Sequence, residues 1–274
     1  MSTQAENEAF ARLIVAIEPW LEEIVIIGGW AHQLYRLHPS AQALEYVPLT
    51  TLDADVALPS ALAVSGQSIR ERLLANGFSE ELFGDDKPPA THYALREGRT
   101  GFFAEFLTPL RGSEYHRRGE RKATKRIAGV VSQQLRYVEI LLHAPWSIEI
   151  DQSAGFPLPG RRRVQVANPA GFLAHKVLVH QKRGRAKFAK DILYIHDTLE
   201  IFGATLSDLN QEWRDEVRPR LHERAARTVE RAASKLFGEM SESVREAGRM
   251  LTIRRITPEA IRQTCQFGLE QVFG

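Results

Sequence analysis

The sequence has little of several features that would assign it to a special class of protein. It contains one cysteine, Cys265, so an internal disulfide and a zinc site built on several cysteines are both excluded. A single cysteine fits a reducing compartment, and we expect the protein to be cytoplasmic. Lys and Arg total 36 against 34 acidic residues, and a net charge of +2 predicts neither a basic nucleic-acid coat nor a strongly acidic surface.

Long apolar runs and targeting signals are also missing. The longest apolar runs have the length of a strand, as at Ile24 to Ile27, whereas a membrane-spanning helix needs about 20 apolar residues. The N-terminal residues MSTQAENEAFARL are acidic and polar where a signal peptide has a basic start and an apolar run. We therefore expect neither a membrane span nor export.

Several catalytic motifs are absent from the sequence. There is no Gly-x-Ser-x-Gly of a serine hydrolase and no His-Glu-x-x-His of a zinc protease. The nine histidines show no spacing of zinc ligands. A Walker-type loop would need Gly-Lys-Ser or Gly-Lys-Thr, and neither occurs. These absences disfavour hydrolysis by a serine triad, zinc chemistry and a P-loop.

The composition is that of a globular protein, because 43% of the 274 residues are hydrophobic and 26% are charged. The first part mixes helical and strand patterns, and the part after Asn168-Pro169 has helical periodicity almost to the end. We predict an α+β protein with an α/β domain over 1–167 and a helical domain over 168–274. The predicted strands are Ile24–Ile27, Leu49–Leu58, His92–Arg96, Gly101–Leu107, Tyr137–Leu142, Ser147–Asp151 and Arg163–Val166.

Two carboxylates follow each other along one face of a predicted strand. Alternation in this strand puts Asp53 and Asp55 on the face opposite its apolar residues. If Glu105 lies on a neighbouring strand with the same orientation, the three carboxylates converge, and unit charges about 4 Å apart repel by roughly 4 kcal/mol. A cation would neutralise them, and oxygen ligands select Mg²⁺. The alternative is a solvated strand end.

A pair of glycines comes directly after the first predicted strand. Gly28 and Gly29 precede a helical pattern, so backbone amides at this turn could hold triphosphate oxygens. A plain turn from strand to helix is the other explanation.

The start of the helical region is rich in basic residues. Lys176 and Arg183 are seven residues apart on one predicted helix, and Lys187 and Asp191 share a face of the next. A solvated charged face is the alternative to joint phosphate binding. Further cations lie at Arg117 to Arg126 and at Arg161-Arg162-Arg163, and these could follow the phosphates of an RNA acceptor.

Together, the Gly-Gly turn, the Asp-x-Asp strand and the segment from Lys176 to the continuation KDILYIHDTL resemble the polymerase-β-like minimal nucleotidyltransferases, and among them the AbiE-type toxins. The resemblance covers roughly residues 20 to 200. It implies a mixed sheet with helices, triphosphate contacts at Gly28 and Gly29, and Mg²⁺ at Asp53 and Asp55. It also implies a third carboxylate at Glu105, and nucleotide contacts at Lys176, Lys187 and Asp191.

The function that this resemblance implies is Mg²⁺-dependent transfer of a nucleoside monophosphate from an NTP to an acceptor hydroxyl. The acceptor could be RNA, a protein side chain or a small molecule, and a toxin of this type would have a cognate antitoxin protein. The rival hypothesis is a non-catalytic protein that keeps the fold and only binds nucleotide or a partner. Intact Asp53 and Asp55 argue against it, because a degenerate site would tolerate their loss.

Overall fold

The computed structural model describes residues 4–46, 49, 51–84, 88–95, 101–115, 122–250, 254 and 256–274. The chain divides into two compact units. Unit 1 comprises residues 1–37 and 50–167, and unit 2 comprises residues 38–49 and 168–274. No helix in the described ranges is long and apolar enough to cross a membrane.

Unit 1 is built on a mixed sheet. Its strands are β1 Val25–Ile27, β2 Asp53–Ala57, β3 Phe78–Phe83, β4 Ala90–Leu95, β5 Phe103–Pro109, β6 Thr124–Ile127, β7 Val130–Leu135, β8 Trp146–Ile150 and β9 Arg162–Val166. The main order is β3-β4-β5-β2-β1-β9-β8, and the hairpin of β6 and β7 joins through β7 to β5. β2 lies near the middle, parallel to β5 and antiparallel to β1.

The helices of unit 1 are α1 Gln4–Ala16, α2 Gly28–Leu34, α3 Ile69–Ala75 and α4 Val138–Leu141. Aromatic packing joins α1 and α2 within the core: the ring of Phe10 stacks on that of Trp30 with centroids 4.0 Å apart, and Phe102 meets Trp30 edge-on. Both stacked rings are fully buried. Trp30, the second residue after the Gly28 turn, is therefore an anchor that fixes where α2 begins.

Unit 2 is helical, as predicted for the region after Asn168. Its helices are α5 Pro169–Val179, α6 Arg185–Ile201, α7 Leu206–Glu212, α8 Glu223–Glu230, α9 Ala232–Phe237, α10 Glu242–Met250 and α11 Pro258–Phe273. The Asn168 side chain caps α5 by accepting a bond from Gly171 N at 2.6 Å, and Pro169 occupies the first turn. The predicted helix start is confirmed.

Three differences from the predicted elements have physical explanations. The predicted strand Tyr137–Leu142 is wrong: Tyr137 has a left-handed backbone (φ 67°), and Val138–Leu141 forms a short helix. A short apolar run fits both a buried strand and a helical turn, so periodicity could not separate them. β3 and the hairpin of β6 and β7 were not predicted. Charged residues occupy two of the six positions of β3 and two of the four positions of β6, which hid their strand pattern, and β7 has an apolar start followed by polar residues without alternation.

Some predictions fall on residues that the structure does not describe. The predicted hairpin turn at 98–101 lies outside the described residues except for Gly101. Arg117, Arg118 and Arg121 of the predicted basic loop lie outside them as well.

Candidate active site

The predicted carboxylates lie on adjacent strands of the sheet. Asp55 of β2 and Glu105 of β5 are direct partners in the parallel register, and Asp53 lies two residues before Asp55. Ala54 and Val56, which alternate with the aspartates, are fully buried. The apolar face of β2 thus packs into the core and directs both aspartates to the opposite face of the sheet, as the alternation predicts.

Glu105 has a neighbour that the sequence did not single out. His92 of β4 is its antiparallel partner, and the His92 Nε2 atom contacts Glu105 Oε1. The imidazole lies against two phenylalanine rings, with centroids 3.7 Å from that of Phe83 and 4.7 Å from that of Phe103. The signal was available, because the alternation Thr91-His92-Tyr93 puts His92 on the polar face of β4.

The glycine turn directly borders the carboxylates. Gly28 has φ 65°, which an L side chain rarely adopts, and it follows β1, whose Ile27 is the register partner of Asp55. A Cβ built on Gly28 would stand 2.9 Å from Asp55 Cγ, and nearer still to its Oδ2. Only glycine lets the backbone come this close to the carboxylate.

The structure places Asp55 and Glu105 side by side on adjacent strands, and the metal site expected at the three carboxylates stays a prediction. Across the described parts of the chain, no three His, Cys, Asp or Glu side chains are grouped so as to hold a metal ion. Glu105 contacts His92 on one side and is the register partner of Asp55 on the other. Asp53 and Asp55 still suit Mg²⁺ by ligand type, since this ion is held by one or two protein carboxylates when substrate phosphates complete its shell.

In unit 2, Lys176 and Asp191 form a buried ion pair. Lys176 Nζ lies 2.6 Å from Asp191 Oδ1, and their side chains are only 7% and 5% exposed. The ammonium also lies 4.8 Å from the centroid of the Tyr194 ring, a cation–π contact. Arg183 reaches the other oxygen of Asp191, with Nε 3.4 Å from Oδ2.

The structure changes one predicted relationship among these cations. Lys176 and Arg183 do not share one helix, because α5 ends at Val179 and Arg183 lies beyond a 3₁₀ turn. They nevertheless act on the same carboxylate, that of Asp191. Lys187 is exposed on α6, one turn before Asp191.

His175 precedes Lys176 on α5 and is strongly perturbed. Burial lowers its pKa from 6.5 to about 3, and the positive charges of Lys176 and Arg183 act in the same direction. The His175 imidazole is therefore neutral at physiological pH, so it does not compete with the Lys176 ammonium as a cationic partner of the Asp191 carboxylate.

A second buried carboxylate network lies further along α6. Asp197 is fully buried and accepts hydrogen bonds from Arg254 Nη1 at 2.8 Å and from Tyr46 Oη at 3.3 Å. The Arg254 guanidinium also stacks over the Tyr46 ring at 4.3 Å. This network ties residues of the segment 38–46 to α6 within unit 2. No sequence signal predicted it, because its members are 57 and 151 residues apart from Asp197.

Of the arginines predicted to follow phosphates, Arg161, Arg162 and Arg163 are paired with carboxylates. Arg161 Nη1 lies 3.0 Å from Glu149 Oε2, and Arg162 Nε lies 2.8 Å from Glu18 Oε1. Arg163 also approaches Glu149, at 3.7 Å. The exposed pairs of Arg161 and Arg163 with Glu149 contribute at most about 1 kcal/mol each. These three arginines therefore offer less uncompensated positive charge to phosphates than the sequence alone indicates.

A mixed sheet that presents paired carboxylates beside a glycine turn, followed by a helical region, defines the class of protein as a nucleotidyltransferase. A family sequence model described as nucleotidyltransferase matches residues 6–218, so the chain belongs to this family and its activity is nucleotidyl transfer.

Among solved structures, the chain is similar to MenT4, a nucleotidyltransferase toxin from Mycobacterium tuberculosis H37Rv. The identity is 12% and the TM-score 0.40, over 98% of this chain and 82% of MenT4. No curated protein matches the sequence.

Proposed function

We propose that this nucleotidyltransferase moves a nucleoside monophosphate from an NTP to an acceptor hydroxyl in a Mg²⁺-dependent reaction that releases pyrophosphate. The observation that carries the proposal is the register of Asp55 with Glu105 on adjacent parallel strands, beside Asp53 and the turn at Gly28. Such an arrangement brings acidic groups to one place on the sheet, next to backbone that can approach a triphosphate.

In this proposal Asp53 and Asp55 hold the ion, and their carboxylates act as acceptor-only oxygen ligands. Bound Mg²⁺ supplies neutralisation of the triphosphate charge and makes the acceptor hydroxyl more acidic. Glu105 takes the hydroxyl proton as the acceptor oxygen bonds to the α-phosphorus and the bond to pyrophosphate breaks. His92 contacts one oxygen of Glu105, which limits the orientations of this carboxylate.

The nucleotide contacts are assigned by the resemblance and by the local structure. Gly28 and Gly29 begin α2, where backbone N–H groups point along the helix axis and favour anionic oxygens. Lys187 is exposed and available to a phosphate. Lys176 and Asp191 are buried in their own ion pair, so a nucleotide that engages them must exchange partners with that pair.

The resemblance of the motifs also supports a toxin-type role for the enzyme in the cytoplasm, with a cognate antitoxin protein. RNA, a protein side chain and a small molecule are the three acceptor classes to be separated. Induced expression of the natural chain should slow bacterial growth, and Asp53→Ala/Asp55→Ala should not. Equal growth inhibition by both chains would argue against a toxin role that depends on transfer.

The test of the proposed function is label transfer from each α-³²P NTP to total RNA, total protein and small molecules, with and without Mg²⁺. Asp53→Ala/Asp55→Ala should abolish transfer. Glu81→Gln is the control, because Glu81 is an exposed acid on the edge strand β3 of the same sheet. The labelled fraction identifies the acceptor class. Undiminished transfer by the aspartate variant, or transfer without a divalent ion, would refute the proposed metal site.

A further inference from the structure

Unit 2 contains a groove between the end of α5 and the outer face of α8 and α9. Its volume is about 700 Å³. His180 lies on the α5 side, and the opposite side carries four cations: Arg224, Arg227, Arg231 and Lys235. All four cations are exposed. This cation groove, as we call it, has no part in the predicted or proposed catalytic site.

Most of the positive charge in the cation groove is uncompensated. Glu223, which also lines it, is bound to Arg227 with an N···O distance of 2.8 Å. Among the residues that the structure describes, Arg224, Arg231 and Lys235 form no ion pair. Like charges clustered in this way repel one another, so the arrangement costs stability unless an anion neutralises it.

The exposed arginines of α10, in the same unit, are paired. On α10, Arg249 lies 3.0 Å from Glu242, and Arg245 lies 3.4 Å from the same carboxylate. The unpaired cations of the groove therefore differ from the paired arginines of α10. This contrast indicates that the groove is suited to an anionic ligand rather than to solvent alone.

The spacing of the cations indicates an extended anion. Arg224 and Arg227 lie on α8, Arg231 at the junction of α8 and α9, and Lys235 on α9, and all four line the groove. Arg224 and Arg231 are seven residues apart, or about 10 Å along a helix with a rise of 1.5 Å per residue. The phosphates of one strand advance about 3.4 Å each along the axis of duplex DNA, so this distance spans roughly three of them measured along that axis. A single phosphate would leave most of these cations unneutralised.

We propose that the cation groove binds the sugar–phosphate backbone of a nucleic acid, with Arg224, Arg231 and Lys235 contacting phosphates along one strand. Guanidinium groups suit this ligand because their forked N–H donors match phosphate oxygens. RNA and DNA share this chemistry. The inference goes beyond the proposed function, since it concerns residues of unit 2 only and requires no transfer reaction.

The experiment measures the Kd of the full chain for short fluorescent RNA and DNA strands by anisotropy over a series of salt concentrations, without NTP. Arg224→Gln/Arg231→Gln removes two groove cations. Arg245→Gln/Arg249→Gln removes the same charge from α10 and serves as the matched control. The groove variant should raise the Kd at least about tenfold, and the slope of log K against log salt should flatten by roughly 1.4, or about 0.7 per lost contact with a single strand. The control should stay within about twofold.

Each other outcome has a defined meaning. Preference for RNA or for DNA identifies the ligand, and equal binding of both supports recognition of the shared backbone. Equal weakening by the groove variant and the control would overturn the proposal, because it would show binding to net charge alone. So would tighter binding of labelled polyglutamate than of either nucleic acid, since the groove would then fit an acidic protein. If circular dichroism shows that the double variant is unfolded, Lys235→Gln replaces it and should raise the Kd about threefold or more.

Discussion

The backbone of Gly28 lies against the carboxylate of Asp55, so close that a Cβ on this glycine would stand 2.9 Å from Asp55 Cγ. Gly28 follows the buried strand β1 and opens α2, whereas Asp55 comes from β2, the antiparallel neighbour of β1. The turn and the carboxylate are thus positioned by the same pair of strands. A substitution at the turn should therefore displace the carboxylate of Asp55.

Gly28→Ala should lose most transfer activity. It should also lower the free energy of unfolding more than the same substitution at another glycine with positive φ. The control is Gly66→Ala, because Gly66 also has positive φ (88°) but nothing within 4 Å of the Cβ position. The control should cost about 1–2 kcal/mol for the left-handed backbone alone and keep its activity. Gly28→Ala should cost more, since Asp55 must also move. Urea unfolding and label transfer measure the two effects, and equal behaviour of both variants would contradict the role of the Asp55 contact.

Lys176→Met should destabilise the protein by about 3 kcal/mol, because it leaves Asp191 buried with only the longer contact to Arg183. Lys187→Met should change stability by no more than about 0.5 kcal/mol, because Lys187 is exposed. If Lys187 contacts the nucleotide, this second variant should instead raise the KM for NTP. Urea unfolding together with steady-state kinetics separates the two roles. A stable Lys176→Met protein would show that the ion pair contributes little to the fold.

Arg254→Met should also destabilise the protein by about 3 kcal/mol, since the fully buried Asp197 would lose its cationic partner. Tyr46→Phe should cost less, about 1 kcal/mol, because only one hydrogen bond disappears. Limited proteolysis should show faster cleavage within 38–46 in both variants. Arg249→Met is the control, because its ion pair is exposed and should contribute less than about 1 kcal/mol. Unchanged cleavage of the segment would contradict the proposed tie to α6.

His175 should make the protein less stable at mildly acidic pH. In the unfolded chain the imidazole takes up a proton near its usual pKa of 6.5, whereas the folded protein resists protonation until about 3. The unfolded state therefore binds more protons between these values, and stability falls as pH is lowered below 6.5. When the pH is lowered from about 7.5 to about 5, the range in which an ordinary histidine titrates, the free energy of unfolding should fall less for His175→Gln than for the natural chain. Identical pH dependence of the two proteins would show that His175 titrates normally in the folded state.

Local patterns in the sequence were sufficient for much of unit 1 and for the start of unit 2. Alternation in β2 predicted that Asp53 and Asp55 share a face, because side chains of a strand point to opposite sides in turn. The cap at Asn168 was predicted because Asn-Pro satisfies the first amides of a helix and fits its first turn. The nucleotidyltransferase family could also be inferred from short motifs, and the family match bears this out.

Other relationships depend on which strands and helices become neighbours. Asp55 beside Glu105, Glu105 beside His92, and Asp197 bound to Arg254 each join residues that are far apart in the chain. Strand order and register decide these contacts, and a shift of one residue would reverse every side chain of a strand. The sequence alone thus determined the types of residue, many of the local elements and the family, because these depend on local patterns and short motifs. Tertiary packing decided that Glu105 lies between Asp55 and His92, and that Lys176 is buried against Asp191, because these contacts depend on which strands and helices become neighbours.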